Sequence, residues 1–167
     1  MKIRPASRAD LEAIYAIELD NFSPEEAMAK EVLGTHIDTI KTSFLVAEKD
    51  GKILGYLEGP VTASRHLEDR SFTSRLQDDP HLVGGYISIT SLSIAREAQG
   101  MKLGQKLLAA MKELATEDQR QGINLTCHDY LIGYYEKQGF VNEGLSQSTY
   151  ANQVWYDLVW DNPDYHS

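Results

Sequence analysis

The sequence predicts a mixed α/β fold, a single domain over residues 1–167 in which helices flank a central mixed sheet. Three observations predict it. Short apolar segments with strand alternation recur along the chain. Two segments carry apolar residues at helical spacing. A strand–helix–strand unit in the middle implies a parallel pair inside a mixed sheet. At 167 residues the chain can bury a core without staples. The element order reads β-α-α-β-β-β-α-β-α-β-β.

Residues 2–5 read as a short strand. Ser7-Arg8-Ala9-Asp10 fits a capping box, in which the Ser7 hydroxyl takes an orphan amide and Asp10 reaches back. Leu11, Ile14 and Ile17 follow at helical spacing, for a helix from about 8 to 20. Ser23-Pro24-Glu25-Glu26 is a second start signal, with a cap residue, a first-turn proline and acids near the positive end of the dipole. That helix is expected to run to about 37. Ser43 to Ala47 is a strand, Asp50-Gly51 a tight turn, and Lys52 to Glu58 the hairpin partner. Residues 60–85 are too long for a plain connection and form an insertion, with room for a short helix near 64–76.

Tyr86 to Ile94 is the next strand, and its apolar face changes phase. Ile87 and Ile89 are odd-numbered, whereas Leu92 and Ile94 are even-numbered. One extra residue between Thr90 and Ser91, a β-bulge, accounts for the change. Leu103, Leu107, Leu108, Met111 and Leu114 form the single stripe of a helix from about 103 to 117. Ile123, Leu125 and Cys127 alternate as a strand. Leu131 to Lys137 is a short helix closed by Gly139. Phe140 to Gly144 and Val154 to Trp160 supply the last two strands.

Composition excludes several classes. The net charge of −9, from 16 basic and 25 acidic residues, argues against a nucleic-acid binder. No apolar run approaches the ~18 residues of a membrane span. Met1-Lys2-Ile3-Arg4-Pro5 enters strand-like sequence directly, so no signal peptide is expected. The one cysteine, Cys127, excludes an internal disulfide and a multi-cysteine metal site. The expectation is a cytoplasmic protein without a metal.

Two motifs carry chemistry. Gln99-Gly100-Met101-Lys102-Leu103-Gly104 turns into the 103–117 helix, whose first amides lack partners and favour an anion. Arg96, Lys102, Lys106 and Lys112 against Glu97 make this stretch basic within an acidic chain. Neither a P-loop nor a Rossmann fingerprint is present. The second motif is Gly133-Tyr134-Tyr135-Glu136-Lys137-Gln138-Gly139-Phe140, where the Tyr135 phenol can donate a hydrogen bond.

Together, the element order, the Q-x-x-x-x-G turn and YEKxGF resemble the GNAT superfamily of acyl-CoA-dependent N-acetyltransferases over essentially the whole chain. The long 60–85 insertion, Gly84-Gly85 and Tyr134-Tyr135-Glu136-Lys137 are similar to its aralkylamine (serotonin-type) branch.

The resemblance implies acetyl-CoA as co-substrate and a small-molecule primary amine as acceptor. It implies that Leu92, Ser93 and Ile94 pair with the pantetheine arm, and that Gln99, Gly100, Met101, Lys102, Leu103, Gly104 and Gln105 hold the pyrophosphate. Lys102 stands where the family has its middle glycine. Tyr135 falls on the tyrosine near the thioester sulfur. The two catalytic histidines of the branch correspond to Ser88 and Thr90, whose hydroxyls are not bases but suit a water chain. Glu26 and Tyr86 fall on the substrate side, as does the 60–85 insertion. Glu25, Glu58, His66, His81 and His128 are further candidate bases. Two other functions fit the same sequence: a catalytically weak acyl-CoA-binding module, and an acetyltransferase for protein N-termini or lysines. Trp155 and Trp160 with exposed edge strands would suit a homodimer.

Overall fold

The computed structural model describes residues 1–166 and holds nine strands and four α-helices among them. β1 (Lys2–Pro5), β2 (Phe44–Lys49), β3 (Lys52–Glu58) and β6 (Ser91–Ile94) form an antiparallel sheet in the order β1-β2-β3-β6. β4 (Val61–Thr62), β5 (Tyr86–Ile89), β7 (Gly122–Cys127), β9 (Tyr156–Asp161) and β8 (Val141–Leu145) form a second sheet in the order given. Within it β5 and β7 run parallel, joined by the strand–helix–strand unit the sequence predicts. Asp50 and Gly51 both take positive φ, 52° and 79°, in the turn between β2 and β3.

α1 (Leu11–Asn21) is entered through a 3-10 turn at Arg8–Asp10. The Asp10 carboxylate accepts the Ser7 amide at 2.8 Å and two bonds from Arg4 at 2.8 and 2.9 Å. α2 (Lys30–Thr39) starts later than the Ser23-Pro24 signal predicts. Residues 24–26 make a single turn, closed by the Glu26 amide on the Ser23 carbonyl at 3.0 Å. The Met28 amide is then taken by the Glu18 carboxylate at 2.9 Å, and Ala29 is extended, so the helix begins at Lys30. Among the described residues no helix is long and apolar enough to cross a membrane.

The sheets separate two cores. α3 (Leu103–Glu117) packs Leu107, Leu108 and Met111 onto one face, against Leu57, Ile123 and Leu158. α1 and α2 cover the other with Ile14, Ile17 and Leu33 against Val46 and Tyr56. Neighbouring residues of β3, Tyr56 and Leu57, therefore feed opposite cores, as strand alternation requires. Beyond β4, the 60–85 insertion forms a 3-10 turn at Asp69–Phe72 instead of the short helix expected near 64–76. The segment is spread as a strap because its polar groups bind outward. The Ser64 carbonyl accepts from Asn124, Arg65 donates to Glu143 and Asp161, and Asp69 accepts from Ser148 and Thr149.

The bulge lies where the phase change places it. Glu58 is the register partner of Ser91, yet its carbonyl accepts the Thr90 amide at 2.9 Å. Two residues thus oppose one, and the strand is divided into β5 in one sheet and β6 in the other.

Glu58 itself is fully buried and faces His36 of α2, with Nδ1 at 2.9 and 3.0 Å from its two oxygens. The other ring nitrogen faces the Thr73 carbonyl at 2.9 Å. Both neighbours accept, so the imidazole must donate from both nitrogens and is charged. Burial opposes that charge, but Glu58 and the Thr73 carbonyl together hold the His36 pKa above its ordinary value. Its contribution to stability is therefore full below about pH 6.5 and is lost as pH rises through the folded-state value. His36→Ala is expected to lose about 3–5 kcal/mol in urea unfolding at pH 6, since Glu58 is left buried and unpaired. The variant should also lack the wild type's decline in stability on going from pH 6 to 8.

Candidate active site

β6 pairs with β3 along one edge only. The Ala95 amide donates to the Leu54 carbonyl at 2.8 Å, so by ladder alternation Leu92 and Ile94 turn their amides and carbonyls to the opposite edge. Among the described residues no strand covers that edge. β7 follows β5 to the Ile89–Leu125 pair and then diverges from β6. The gap opens into a cavity of about 710 Å³, within the usual range for small-molecule sites.

At one end stands the N-terminus of α3. The first intrahelical bond runs from the Lys106 amide to the Lys102 carbonyl, so the amides of residues 103–105 point into the cavity mouth without helical partners. Lys102 adopts the left-handed conformation, φ 60° and ψ 27°, which is the geometry a glycine would take without cost. Gly100 is also left-handed, at φ 85°. A Cβ at Gly104 would lie 2.5 Å from the Tyr134 phenol oxygen, so a larger residue there would have to displace that phenol. Gln99 ties this turn to β6, donating to the Ile94 carbonyl at 3.1 Å, which also accepts from Asn21 at 2.6 Å.

The wall opposite β6 is the end of β7 with α4 (Ile132–Lys137): Thr126, Cys127, His128, Tyr134 and Tyr135. Burial, with smaller effects from Cys127 and Tyr134, holds the Tyr135 phenol well above its ordinary pKa. Burial also pushes the Cys127 thiol up to about 12. Neither group ionises near neutrality, and the Tyr135 hydroxyl has no hydrogen-bond partner among the described residues. Its phenol is a donor held ready in the cavity.

The far end is aromatic and acidic. Phe72 of the strap stacks on Tyr150, with ring centroids 4.2 Å apart, and the Tyr150 hydroxyl donates to the Glu26 carbonyl at 2.8 Å. Trp155 stacks on His128 at 4.3 Å and donates from its indole to the Tyr150 carbonyl at 2.8 Å. His128 Nε2 lies 2.9 Å from a Glu26 oxygen. Glu18 is saturated: one oxygen receives the Tyr56 and Ser91 hydroxyls, the other the Met28 amide. Burial raises its pKa in spite of those donors.

Of the residues singled out from sequence, Thr90, Leu92, Ser93, Ile94, Gln99, Gly100, Lys102, Leu103, Gly104, Gln105, Tyr135 and Glu26 all line this cavity. Three do not. Ser88 lies beneath the sheet surface and shares a 3.0 Å hydrogen bond with Thr62, because only the bulged Thr90 is turned toward the cavity. Tyr86 sits at the far end of β5, where its hydroxyl accepts from Arg65 at 3.1 Å. Met101 is half-exposed on the outside of the turn. The expected cluster of four cations also contracts. Arg96 donates to the Asp20 carbonyl, and Lys112 donates to the Gln138 carbonyl beside the Trp160 and Phe140 rings. Lys102 is the lysine that lines the cavity.

Glu58 is buried on His36, and His66 pairs with Glu143 on the strap side, so neither reaches the cavity. Glu25 and His81 do not line it either. Sequence reasoning missed Glu18, Asn21, Phe72 and Tyr150. Glu18 carried a signal, since it falls four residues after Ile14 on the apolar face of its helix. Asn21, the last residue of α1, lies three residues further along that face, whereas Phe72 and Tyr150 sit in short 3-10 turns of irregular segments whose path no local pattern encodes. Trp155 and Trp160, weighed as dimer residues, are accounted for within the chain, by His128 and by Lys112.

A family model of the acetyltransferase (GNAT) family matches residues 11–140. Over 65 residues the chain is 32% identical to glucosamine 6-phosphate N-acetyltransferase of Candida albicans, a match spanning 39% of this chain and 44% of that protein. Among solved structures, the chain is similar to the GphF GNAT-like decarboxylase in complex with isobutyryl-CoA. The TM-score is 0.76 and the identity 16%, over 97% of this chain and 100% of the other. It is also similar to Naa20 of Chaetomium thermophilum in complex with a bisubstrate analogue. There the TM-score is 0.73 and the identity 19%, over 98% of this chain and 88% of the other. At these identities both likenesses are of fold.

Lys102→Gly is expected to stabilise the protein by about 1 kcal/mol in urea unfolding, because a left-handed residue with a Cβ costs roughly 1–2 kcal/mol. Gly100→Ala, at φ 85° in open space, is expected to cost about the same amount.

Proposed function

The chain belongs to the GNAT acetyltransferase family, and on that premise we propose that it transfers the acetyl group of acetyl-CoA to the primary amine of a small molecule with an apolar, flat body. One observation carries the reading: the free edge of β6 and the open N-terminus of α3 border one cavity, with Tyr135 on its opposite wall. The helix amides and Lys102 suit a diphosphate. The outward amides of Leu92 and Ile94 suit the amide-bearing pantetheine arm, as an unpaired strand edge suits an extended ligand.

In the reaction the amine lone pair attacks the thioester carbonyl carbon within a ternary complex. The Leu92 amide is the donor placed for the developing oxyanion. The C–S bond then breaks, and Tyr135 donates a hydrogen bond to the sulfur as charge grows on it. A phenol held above its ordinary pKa acts as a hydrogen-bond donor rather than as a source of a full proton, since transfer from pKa ~10 to a thiolate of ~8.5 is already uphill by roughly 2 kcal/mol.

The far end of the cavity supports the acceptor class. Phe72, Tyr130, Tyr150 and Trp155 offer flat apolar surface, and Glu18 and Glu26 favour a cation. Apart from His128 no basic side chain lines that end, which disfavours a phosphorylated sugar amine such as the Candida relative's name denotes. The stack of Phe72 on Tyr150 roofs the site and favours a small acceptor over a protein chain. This is also the acceptor class of the aralkylamine branch, although the branch's histidine pair is replaced by Ser88 and Thr90.

Thiol release from acetyl-CoA, measured over 2-phenylethylamine, glucosamine 6-phosphate and a peptide with a free N-terminus, should be fastest with 2-phenylethylamine. Tyr135→Phe should lower kcat at least about 10-fold and leave acetyl-CoA affinity within about twofold. Equal kcat for the two proteins would remove Tyr135 from its role. Calorimetric binding of acetyl-CoA without turnover on any amine would instead favour a non-catalytic acyl-CoA-binding module.

A further inference from the structure

An alkylammonium of pKa ~10.4 is neutral in only about one molecule in a thousand near pH 7.4. Acetyl transfer therefore needs a proton acceptor beside the amine, and neither Ser88 nor Thr90 is one. Glu18, Glu26 and His128 are the acidic or basic groups at the far end of the cavity, and Glu26 is engaged by His128. Glu18 stands beside Ser91 at the bulge, but both its oxygens already receive protein donors and it is only 2% exposed. It is built as an acceptor of structural hydrogen bonds.

His128 is built differently. It follows the last residue of β7 and lines the cavity on the same wall as Tyr135. Its Nε2 faces the Glu26 carboxylate, an acceptor, at 2.9 Å, so Nε2 is the donor of this contact and Nδ1 is the ring nitrogen turned away from it. No described residue hydrogen-bonds Nδ1. The ring is held in place by stacking between Trp155 at 4.3 Å and Tyr130 at 5.4 Å. The groups facing it are Glu26 from the segment between α1 and α2, Tyr130 from the turn after β7, and Trp155 from the loop before β9. Of these only Glu26 carries a charge. The imidazole thus has one nitrogen fixed by a carboxylate, the other free, and its plane set by two aromatic rings. This is the arrangement by which a carboxylate orients a general base and stabilises the imidazolium that forms.

We propose that His128 is the catalytic residue that accepts the ammonium proton, and that Glu26 is its positioning residue. The proposal rests on the acetyl-transfer reading above. The ammonium gives one proton to Nδ1, and the freed lone pair forms the N–C bond. The C–S bond breaks, and a second proton from the nitrogen offsets the thiolate. The products are the amide and free CoA thiol. His128, with its side chain 17% exposed, then returns its proton to solvent.

The test is kcat/KM against pH with acetyl-CoA and the fastest amine of the panel named above, for wild type, His128→Gln and Glu26→Gln. Wild type should show an acidic limb that His128→Gln lacks. His128→Gln should lose about 100-fold or more at pH 7. Its rate should instead climb tenfold per pH unit toward the pKa of the amine. Glu26→Gln should lower kcat/KM by a smaller factor than His128→Gln and lose less with an amine that is already neutral, because Glu26 acts through the His128 ring. A fluorinated ethylamine, already neutral at pH 7, should restore most of the lost rate in His128→Gln, which a merely structural defect would not allow. Acetyl-CoA affinity by calorimetry should stay within about twofold. A His128→Gln variant that keeps the wild-type limb, or whose loss is the same for the neutral amine, overturns the assignment and leaves the acetyl-transfer reading standing. Failure of the wild type itself to bind or turn over acetyl-CoA takes down both.

Discussion

Glu58 opposes two residues of the neighbouring strand, Thr90 and Ser91, and the rest of the site follows from that mismatch. A regular ladder through Tyr86–Ile94 would have kept β7 against the whole strand and left no slot. With the extra residue, β5 stays with β7 while β6 stays with β3, and the two halves part company at Thr90. The divergence leaves one strand edge unpaired inside the molecule. An unpaired edge is costly in a core and prone to false pairing on a surface, and under the proposed function the pantetheine arm is the ligand that completes the ladder.

The polar groups around the bulge are arranged to hold it. Tyr56 of β3 and Ser91 of β6 both donate to Glu18 of α1, so a carboxylate clamps the two strands where their register slips. Glu58, at the slip itself, is anchored by His36 of α2, and that histidine reaches on to the strap through Thr73. Replacing such groups with apolar ones could yield a tighter core, since buried ions recover their desolvation cost only with good partners. Their value lies in specifying one register. The same residues that set the register also set the far end of the cavity, because Glu18 and its Met28 bond decide where α2 begins.

How much was legible from the chain depends on which interactions are local. The bulge was legible because period-two alternation is local, and a change of phase between Ile89 and Leu92 has few explanations. The 103–117 helix was legible for the same reason, its stripe being unbroken. Ser23-Pro24 misled because a start signal is real even when only one turn follows; the competing Glu18–Met28 bond is made across a chain reversal that no short window contains. Ser88 misled because alternation puts it on the same face as Thr90, whereas the bulge turns only the latter outward. Phe72, Tyr150 and Trp155 were invisible because they meet through a strap and a loop that are irregular in themselves and ordered only by each other.

The acidic net charge of the chain takes its meaning from where the charges fall. Inside the cavity the two ends differ in sign. Helix amides and Lys102 stand at one end, Glu18 and Glu26 at the other, with apolar wall between. In a low-dielectric cleft such opposed ends focus rather than average the field, so under the proposed function an anionic nucleotide and a cationic amine would each be drawn to their own end and meet at the bulge. The same polarity sets the problem the chemistry must solve, because a site that attracts the ammonium form also stabilises it against losing its proton. A group that can take that proton while keeping the local charge balanced has to sit at the acidic end. An imidazole backed by a carboxylate meets that requirement, since on protonation it replaces the substrate's positive charge beside Glu26 instead of removing it.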